Sequence, residues 1–236
     1  MTRIAVSAGR DHASRWRFAP VVAMLLLAGC ASAGGGSATV AERGIADGDD
    51  AWTAGAEGTR GEEGVGVPEY RVYVANESSD IISRVVFRPG GGGGAEAVVE
   101  SEIPVGVMLT DSDGAHGLIV SPDTEYFYVT LAHGTPDGSL WKFHAGPDTL
   151  AGRTTLGRFP ASVGTTPDGQ FVIVGNFNLH GEMEPSDVSF VYAPTMTEVS
   201  RITTCLMPHG SRVNVAGTRQ YSVCMHSDQL VEVDLT

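Results

Sequence analysis

The strongest constraint on this chain is a repeat of about 45 residues through its C-terminal two-thirds; units of such a period cannot bury an apolar face alone and must stack on one another. Three segments carry it. Gly117-Leu118-Ile119-Val120-Ser121-Pro122-Asp123 leads into Glu125-Tyr126-Phe127-Tyr128-Val129-Thr130. Ser162-Val163-Gly164-Thr165-Thr166-Pro167-Asp168-Gly169 leads into Gln170-Phe171-Val172-Ile173-Val174-Gly175-Asn176. Ser211-Arg212-Val213-Asn214-Val215-Ala216-Gly217 leads into Arg219-Gln220-Tyr221-Ser222-Val223-Cys224. Each reads as a short strand, a turn, then a β-branched and aromatic strand. Pro presets φ at the turn, and Asp or Gly tolerates the backbone angles that complete it. Four-stranded units of this length, each built on such hairpins, read as blades of a β-propeller.

A coarse pass gives three, four, four and three strands in successive units. The first unit has strands near 70–77, 81–87 and 97–103 and no obvious innermost strand. The second has 116–122, 125–132, 139–144 and 153–159, and the third 161–166, 170–177, 187–193 and 198–204. The fourth has 209–215, 219–226 and 229–236, ending on a third strand. The expected fold is therefore all-β, a partial propeller of about 3.5 four-stranded blades over residues 67–236. A ring closes to remove its open edges. The expectation is thus that the sequence is part of a longer chain, the alternatives being a four-bladed ring or one completed by oligomerisation.

The second strands Val72-Tyr73-Val74-Ala75-Asn76, Tyr128-Val129-Thr130 and Val174-Gly175-Asn176, with the Ser-Pro-Asp and Thr-Pro-Asp-Gly turns, resemble the YVTN or YncE-like β-propeller repeat family over about residues 70–236. The last unit departs from the pattern, with Ala216-Gly217 where the others have Pro-Asp. That family includes binding scaffolds, lactonase-like proteins and propeller parts of periplasmic redox enzymes, so the resemblance implies fold more than function.

The N-terminus carries a separate message. Arg3, Arg10, Arg15 and Arg17 precede an uncharged run from Phe18 to Gly29, a positive region followed by a short apolar one. It ends Leu27-Ala28-Gly29-Cys30, which resembles a bacterial lipoprotein signal. The resemblance implies cleavage before Cys30 and lipidation of that cysteine. Residues 1–29 are then a signal peptide and the partner is the membrane. Ala31 and Ser32 carry no acidic retention signal, which favours the periplasmic side of an outer membrane in a cell with two membranes. Residues 30–66 hold few large apolar side chains and are expected to form a flexible tether.

The chain has 15 basic and 28 acidic residues; without residues 1–29 there remain 11 and 27, a net charge of −16. Nucleic-acid binding needs a basic footprint, and this composition supplies none. Cys205 and Cys224 remain after Cys30, and in an exported protein they can pair as a disulfide. No Cys-x-x-Cys-His occurs, which excludes a covalently attached c-type haem, and no Gly-x-Ser-x-Gly nucleophile elbow is present. Glu182, Glu184 and Asp187 form an acidic stretch that resembles the calcium site of lactonase propellers, but it also reads as a solvated loop.

The histidines are the candidate chemistry. His116 and His209 stand at the start of innermost strands; His133, His180 and His226 stand at the ends of second strands. Neighbouring strands of a blade are antiparallel, so all five belong to one mouth of the propeller. Imidazole ligates copper and zinc, and Cys224 beside His209 and His226 adds a soft donor. The candidate metal set is His116, His133, His180, His209, His226 and Cys224, with copper or zinc as the possible cofactor. Two functions are consistent with this pattern. One is a lipid-anchored, non-catalytic propeller that binds a small molecule or protein at its loop face. The other is a metal-dependent redox or hydrolytic enzyme. The test between them is whether three or more imidazoles reach one ion.

Overall fold

A computed structural model describes residues 4–7, 68–90, 94–108, 110–134 and 136–236. Cys30 and the tether lie outside the described residues. The strands are β1 (Ile4–Ser7), β2 (Tyr70–Asn76), β3 (Ile81–Arg88), β4 (Glu96–Pro104), β5 (Ala115–Val120), β6 (Tyr126–Leu131), β7 (Ser139–His144) and β8 (Leu150–Thr155), followed by β9 (Pro160–Thr165), β10 (Phe171–Asn176), β11 (Pro185–Tyr192), β12 (Thr197–Leu206), β13 (Pro208–Val213), β14 (Arg219–Cys224) and β15 (Gln229–Asp234). A single 3-10 turn, Glu77–Ser79, joins β2 to β3. Among the described residues no helix is long and apolar enough to cross a membrane.

The strands form four antiparallel sheets, ordered β2-β3-β4, β5-β6-β7-β8, β9-β10-β11-β12 and β13-β14-β15-β1. Among the described residues the first sheet has three strands, without the innermost strand that β5, β9 and β13 supply to the others. Strand β8 lies earlier than the 153–159 expected. Asp148 takes a left-handed φ of 58° in the turn after β7, and Leu150 pairs with Phe143. The fourth sheet gains an outer strand the sequence did not predict: Ile4–Ser7 pairs antiparallel with β15, Ile4 facing Val233. That strand falls inside the expected leader, residues 1–29.

The turn between the first two strands of a unit is fixed by one carboxylate. Asp123 accepts from the Glu125 N–H at 3.0 Å and Asp168 from the Gln170 N–H at 3.0 Å, and each also accepts the hydroxyl two residues before it, Ser121 or Thr166. The hydroxyl bond, then the amide bond, hold both carboxyls below their ordinary pKa. In the last unit Asn214 does this work from the other side of the turn, its Oδ1 accepting from the Thr218 and Arg219 N–H groups at 2.8 and 3.0 Å. This is why the repeat survives there without Pro-Asp. The asparagine that ends the second strand also has a task. Asn76 donates to Ser83 Oγ at 2.8 Å and Asn176 to Ser189 Oγ at 2.7 Å, each tying strand two to strand three. Cys224 ends β14 at the same place and is bonded to Cys205 of β12, stapling the third sheet to the fourth.

The core lies between sheets. Phe127, Val129 and Trp141 pack with Ile82 and Ile103 between the first and second. Tyr128, Leu140, Val172, Val174 and Val191 fill the space between the second and third. Ile173, Val188, Phe190, Val231 and Val233 fill that between the third and fourth. A polar clasp joins the first two sheets. Asp148 accepts from Tyr73 Oη at 3.0 Å and Ser101 Oγ at 3.1 Å, and pairs with the Arg84 guanidinium. Arg84 and Asp148 expose only 14% and 11% of their side chains. Removing one member of a buried pair strands the other, at a cost of about 3–5 kcal/mol when burial is complete. The expected outcome is that Asp148→Ala lowers the unfolding free energy by about 2–3 kcal/mol, since Glu100 still faces Arg84 from a more exposed position. Urea unfolding checks it, with Glu100→Ala as a contrast expected to cost less than about 1 kcal/mol.

Candidate functional site

The mouth is built from one backbone device used three times. The residue before each innermost strand is left-handed: Gly114 at φ 68°, Phe159 at 51° and Met207 at 55°. Its carbonyl accepts from the residue just after the second strand: Ala132 N–H to Gly114 O at 2.8 Å, Phe177 to Phe159 at 2.7 Å, Met225 to Met207 at 3.0 Å. The bond ties the two loops of a blade together at one end. Glycine takes this backbone freely, whereas Phe159 and Met207 bear a strain of order 1–2 kcal/mol. Phe159 is nonetheless almost wholly buried, and its ring becomes the centre of the site.

Three imidazoles stand edge-on around that ring. Centroids lie 5.4 Å away for His116, 5.0 Å for His133 and 5.3 Å for His180. His209 packs against Phe177 at 4.9 Å. The histidines also approach in pairs, His116 with His209 at 6.0 Å and His133 with His180 at 5.6 Å. Glu77, from the loop of the first sheet, reaches both pairs. Its Oε1 lies 2.9 Å from His133 Nε2 and 4.0 Å from His116 Nε2. His116 Nδ1 donates to the Ala161 carbonyl at 2.9 Å and Ser162 Oγ to the His209 carbonyl at 2.6 Å, so the innermost strands are linked across the blades. Two depressions adjoin. Glu77, Ser78, Asp111, Ser112, His133 and His180 line one; Ala132, Pro136, Arg158, Phe159 and Asn178 meet the same two histidines in the other.

Four of the five predicted histidines thus converge, and the fifth does not. His226 is exposed in the loop after β14. Cys224 is not available as a ligand, because its sulfur is spent in the disulfide with Cys205 and has no thiolate to offer. Among the described residues no group of three or more His, Cys, Asp or Glu side chains is arranged to hold a metal ion. The Phe159 ring packs among three of these imidazoles, its centroid 5.0 to 5.4 Å from theirs. The acidic stretch also divides. Asp187 lies on β11 and accepts from Asn176, burial raising its carboxyl pKa, while Glu182 and Glu184 stay exposed. Glu77, Phe159 and Phe177 were missed from the sequence. Glu77 follows the strand-ending Asn76 as Phe177 follows Asn176, and aligning the repeat there would have placed it at the mouth.

No protein-family model matches the chain, and no curated protein matches it. Solved structures do. A putative 6-phosphogluconolactonase from Bacteroides uniformis is 18% identical with a TM-score of 0.50, over 65% of this chain and 44% of its own. Hydrazine synthase of Kuenenia stuttgartiensis is 23% identical with a TM-score of 0.44, over 50% and 33%. The Cps50 (Swd1) β-propeller domain of Myceliophteria thermophila is 10% identical with a TM-score of 0.42, over 52% and 36%. The architecture is a β-propeller. The chain spans less than half the length of each of these structures. At such identities the likeness speaks for the fold alone.

Burial, and after it the neighbouring His116 ring, push the His209 pKa below its ordinary 6.5. The unfolded chain therefore binds the proton first as pH falls. Stability carried by neutral His209 is present above the ordinary histidine value and is lost as pH falls through the window down to the depressed folded value. The expected outcome is that His209 titrates below 6.5 in ring-resonance NMR, and that His209→Gln removes its share of the acid-side loss in unfolding free energy.

Proposed function

We propose that this chain is an exported, lipid-anchored β-propeller of the YVTN or YncE-like kind, a binding scaffold that takes a small molecule or a protein segment at its histidine-lined mouth. The observation that carries the binding reading is the convergence of His116, His133, His180 and His209 with Glu77, drawn from all four blades onto one end. Concave sites with an aromatic floor and a few converging polar groups are where ligands bind. The anchor rests on the Leu27-Ala28-Gly29-Cys30 sequence. Cys30 would bear the lipid, and residues 31–66 would hold the propeller off the membrane, facing the periplasm in a cell with two membranes. Several acyl chains are needed for stable attachment, and a lipidated N-terminal cysteine supplies them.

Two measurements test the two halves. Cys30→Ser is expected to move the protein from the membrane pellet to the soluble exported fraction; continued pelleting refutes the lipid anchor. Binding is tested by following histidine ring resonances against a small-molecule panel. Saturable shifts confined to His116, His133, His180 and His209, with His226 unmoved, are expected. Shifts of His226 alone refute the mouth as the site.

A further inference from the structure

We infer that the Cys205–Cys224 disulfide is a positioning bond of the mouth, which holds the backbone bulge that presents His209. This role is independent of what the mouth binds. In β5, Ala115 pairs with Leu131 and Leu118 with Val129, so His116 and Gly117 together face the single residue Thr130. In β13, Pro208 pairs with Cys224 and Ser211 with Ser222, so His209 and Gly210 together face Val223. Both histidines therefore sit on bulges, the device that re-aims a side chain beside a site. The ladder is interrupted at a bulge, and its residues need other ties to stay in place.

The second blade has such ties. The Gly117 N–H donates to Thr130 Oγ1 at 2.8 Å, the Gly114 N–H to Asp80 Oδ1 at 2.8 Å, and the His116 ring to the Ala161 carbonyl at 2.9 Å. The fourth blade is built differently. Val223, opposite its bulge, has no hydroxyl. The corner residue is Met207, left-handed at φ 55° and only half-buried, where the third blade has the buried Phe159. The His209 ring leans on Phe177 and makes no hydrogen bond among the described residues. An amide at the end of strand two would find no partner either. Asn176 donates to Ser189, which faces Val174, but the residue facing Ser222 in the same way is Val231. Three bonds remain: the Met225 N–H to the Met207 carbonyl, the Ser162 hydroxyl to the His209 carbonyl, and the disulfide. Cys205 lies two residues before Met207, and Cys224 pairs with Pro208. The S–S bond and that pairing thus close a small ring around Met207, directly before His209. A strained backbone persists only where its surroundings over-determine it, and here a covalent ring does so. Opening the ring lets Met207 return to an ordinary φ and His209 leave Phe177.

The experiment compares the full chain with its Cys205→Ala, Cys224→Ala variant by ring NMR, with no ligand present. Loss of the His209–Phe177 ring contact is expected in the variant, with the His133–Phe159 and His180–Phe159 contacts kept. A second measurement uses the unmutated chain. Dithiothreitol, a dithiol, supplies two electrons and two protons: the S–S bond breaks, Cys205 and Cys224 become thiols, and the reagent closes into its own disulfide. Alkylation and mass measurement count the two thiols. Amide exchange is then followed at Met225, Ala132 and Phe177, which make the same loop-to-loop bond in three blades. Reduction is expected to speed exchange at Met225 by about tenfold or more and to leave the other two within about twofold. A folded variant that keeps the His209–Phe177 contact overturns the inference. So does unchanged exchange at Met225 once two thiols are counted. Equal acceleration at all three amides, or a variant without dispersed amide resonances, assigns the bond to the whole fold rather than to one corner and overturns it as well.

Discussion

Everything in this structure depends on sheets that are apolar on both faces. Strand β6 is buried along five of its six residues and β10 likewise, so alternate side chains go to opposite neighbours and neither face meets water. Phe127 of β6 stacks on Tyr73 of the first blade at 4.2 Å, while Tyr128, one residue on, packs toward the third. A sheet of this kind has no stable existence alone, and stacking is the consequence of the pattern. The outward face of the first blade shows the same residue types, and among the described residues nothing covers them: Tyr70, Val72, Val74, Phe87 and Val99 are all exposed.

Stacking fixes where chemistry is possible. Innermost strands packed side by side bring their leading residues close together, and the left-handed residue before each strand turns both loops of a blade to that end. Equivalent positions then hold different side chains. His116 and His209 share a place that Ala161 holds in the blade between them. This is not a loss, because the Ala161 carbonyl fixes the His116 tautomer. The mouth is thus assembled by the repeat and diversified by single substitutions within it, as expected when function is grafted on a scaffold.

Much of this was legible in the sequence. The Pro-Asp turns predicted the hairpins, and their Asp side chains hold them. Strand antiparallelism placed the histidines on one face. The cysteines at 205 and 224 could pair, and do. What could not be read was the middle of the mouth. Phe159 closes the outer strand expected at 153–159, and its left-handed backbone, rare for a bulky side chain, has no sequence mark. Strand periodicity says which face a residue is on and nothing about distance. Five histidines on one face therefore read as a metal set, and four of them converge while His226 stands apart. Ile4–Ser7 was hidden for a different reason: a strand pairing across more than two hundred residues leaves no local pattern beyond four apolar or small side chains.

Phe159 also decides what kind of site this is. Imidazoles crowded round a metal ion turn their lone pairs inward, and their mutual repulsion is offset by the ion's charge. Here three of them stand steeply inclined to a phenyl ring, which binds no anion. Their nitrogens are left to settle with what lies outside the ring: a carbonyl for His116, a carboxylate for His133. The Glu77 carboxylate lies between the two rings, 2.9 Å from His133 Nε2 and 4.0 Å from His116 Nε2. Glu77 lies at the rim of an aromatic floor and is bonded to the His133 ring. One buried aromatic residue thus sets how the imidazoles and the carboxylate of the mouth are arranged.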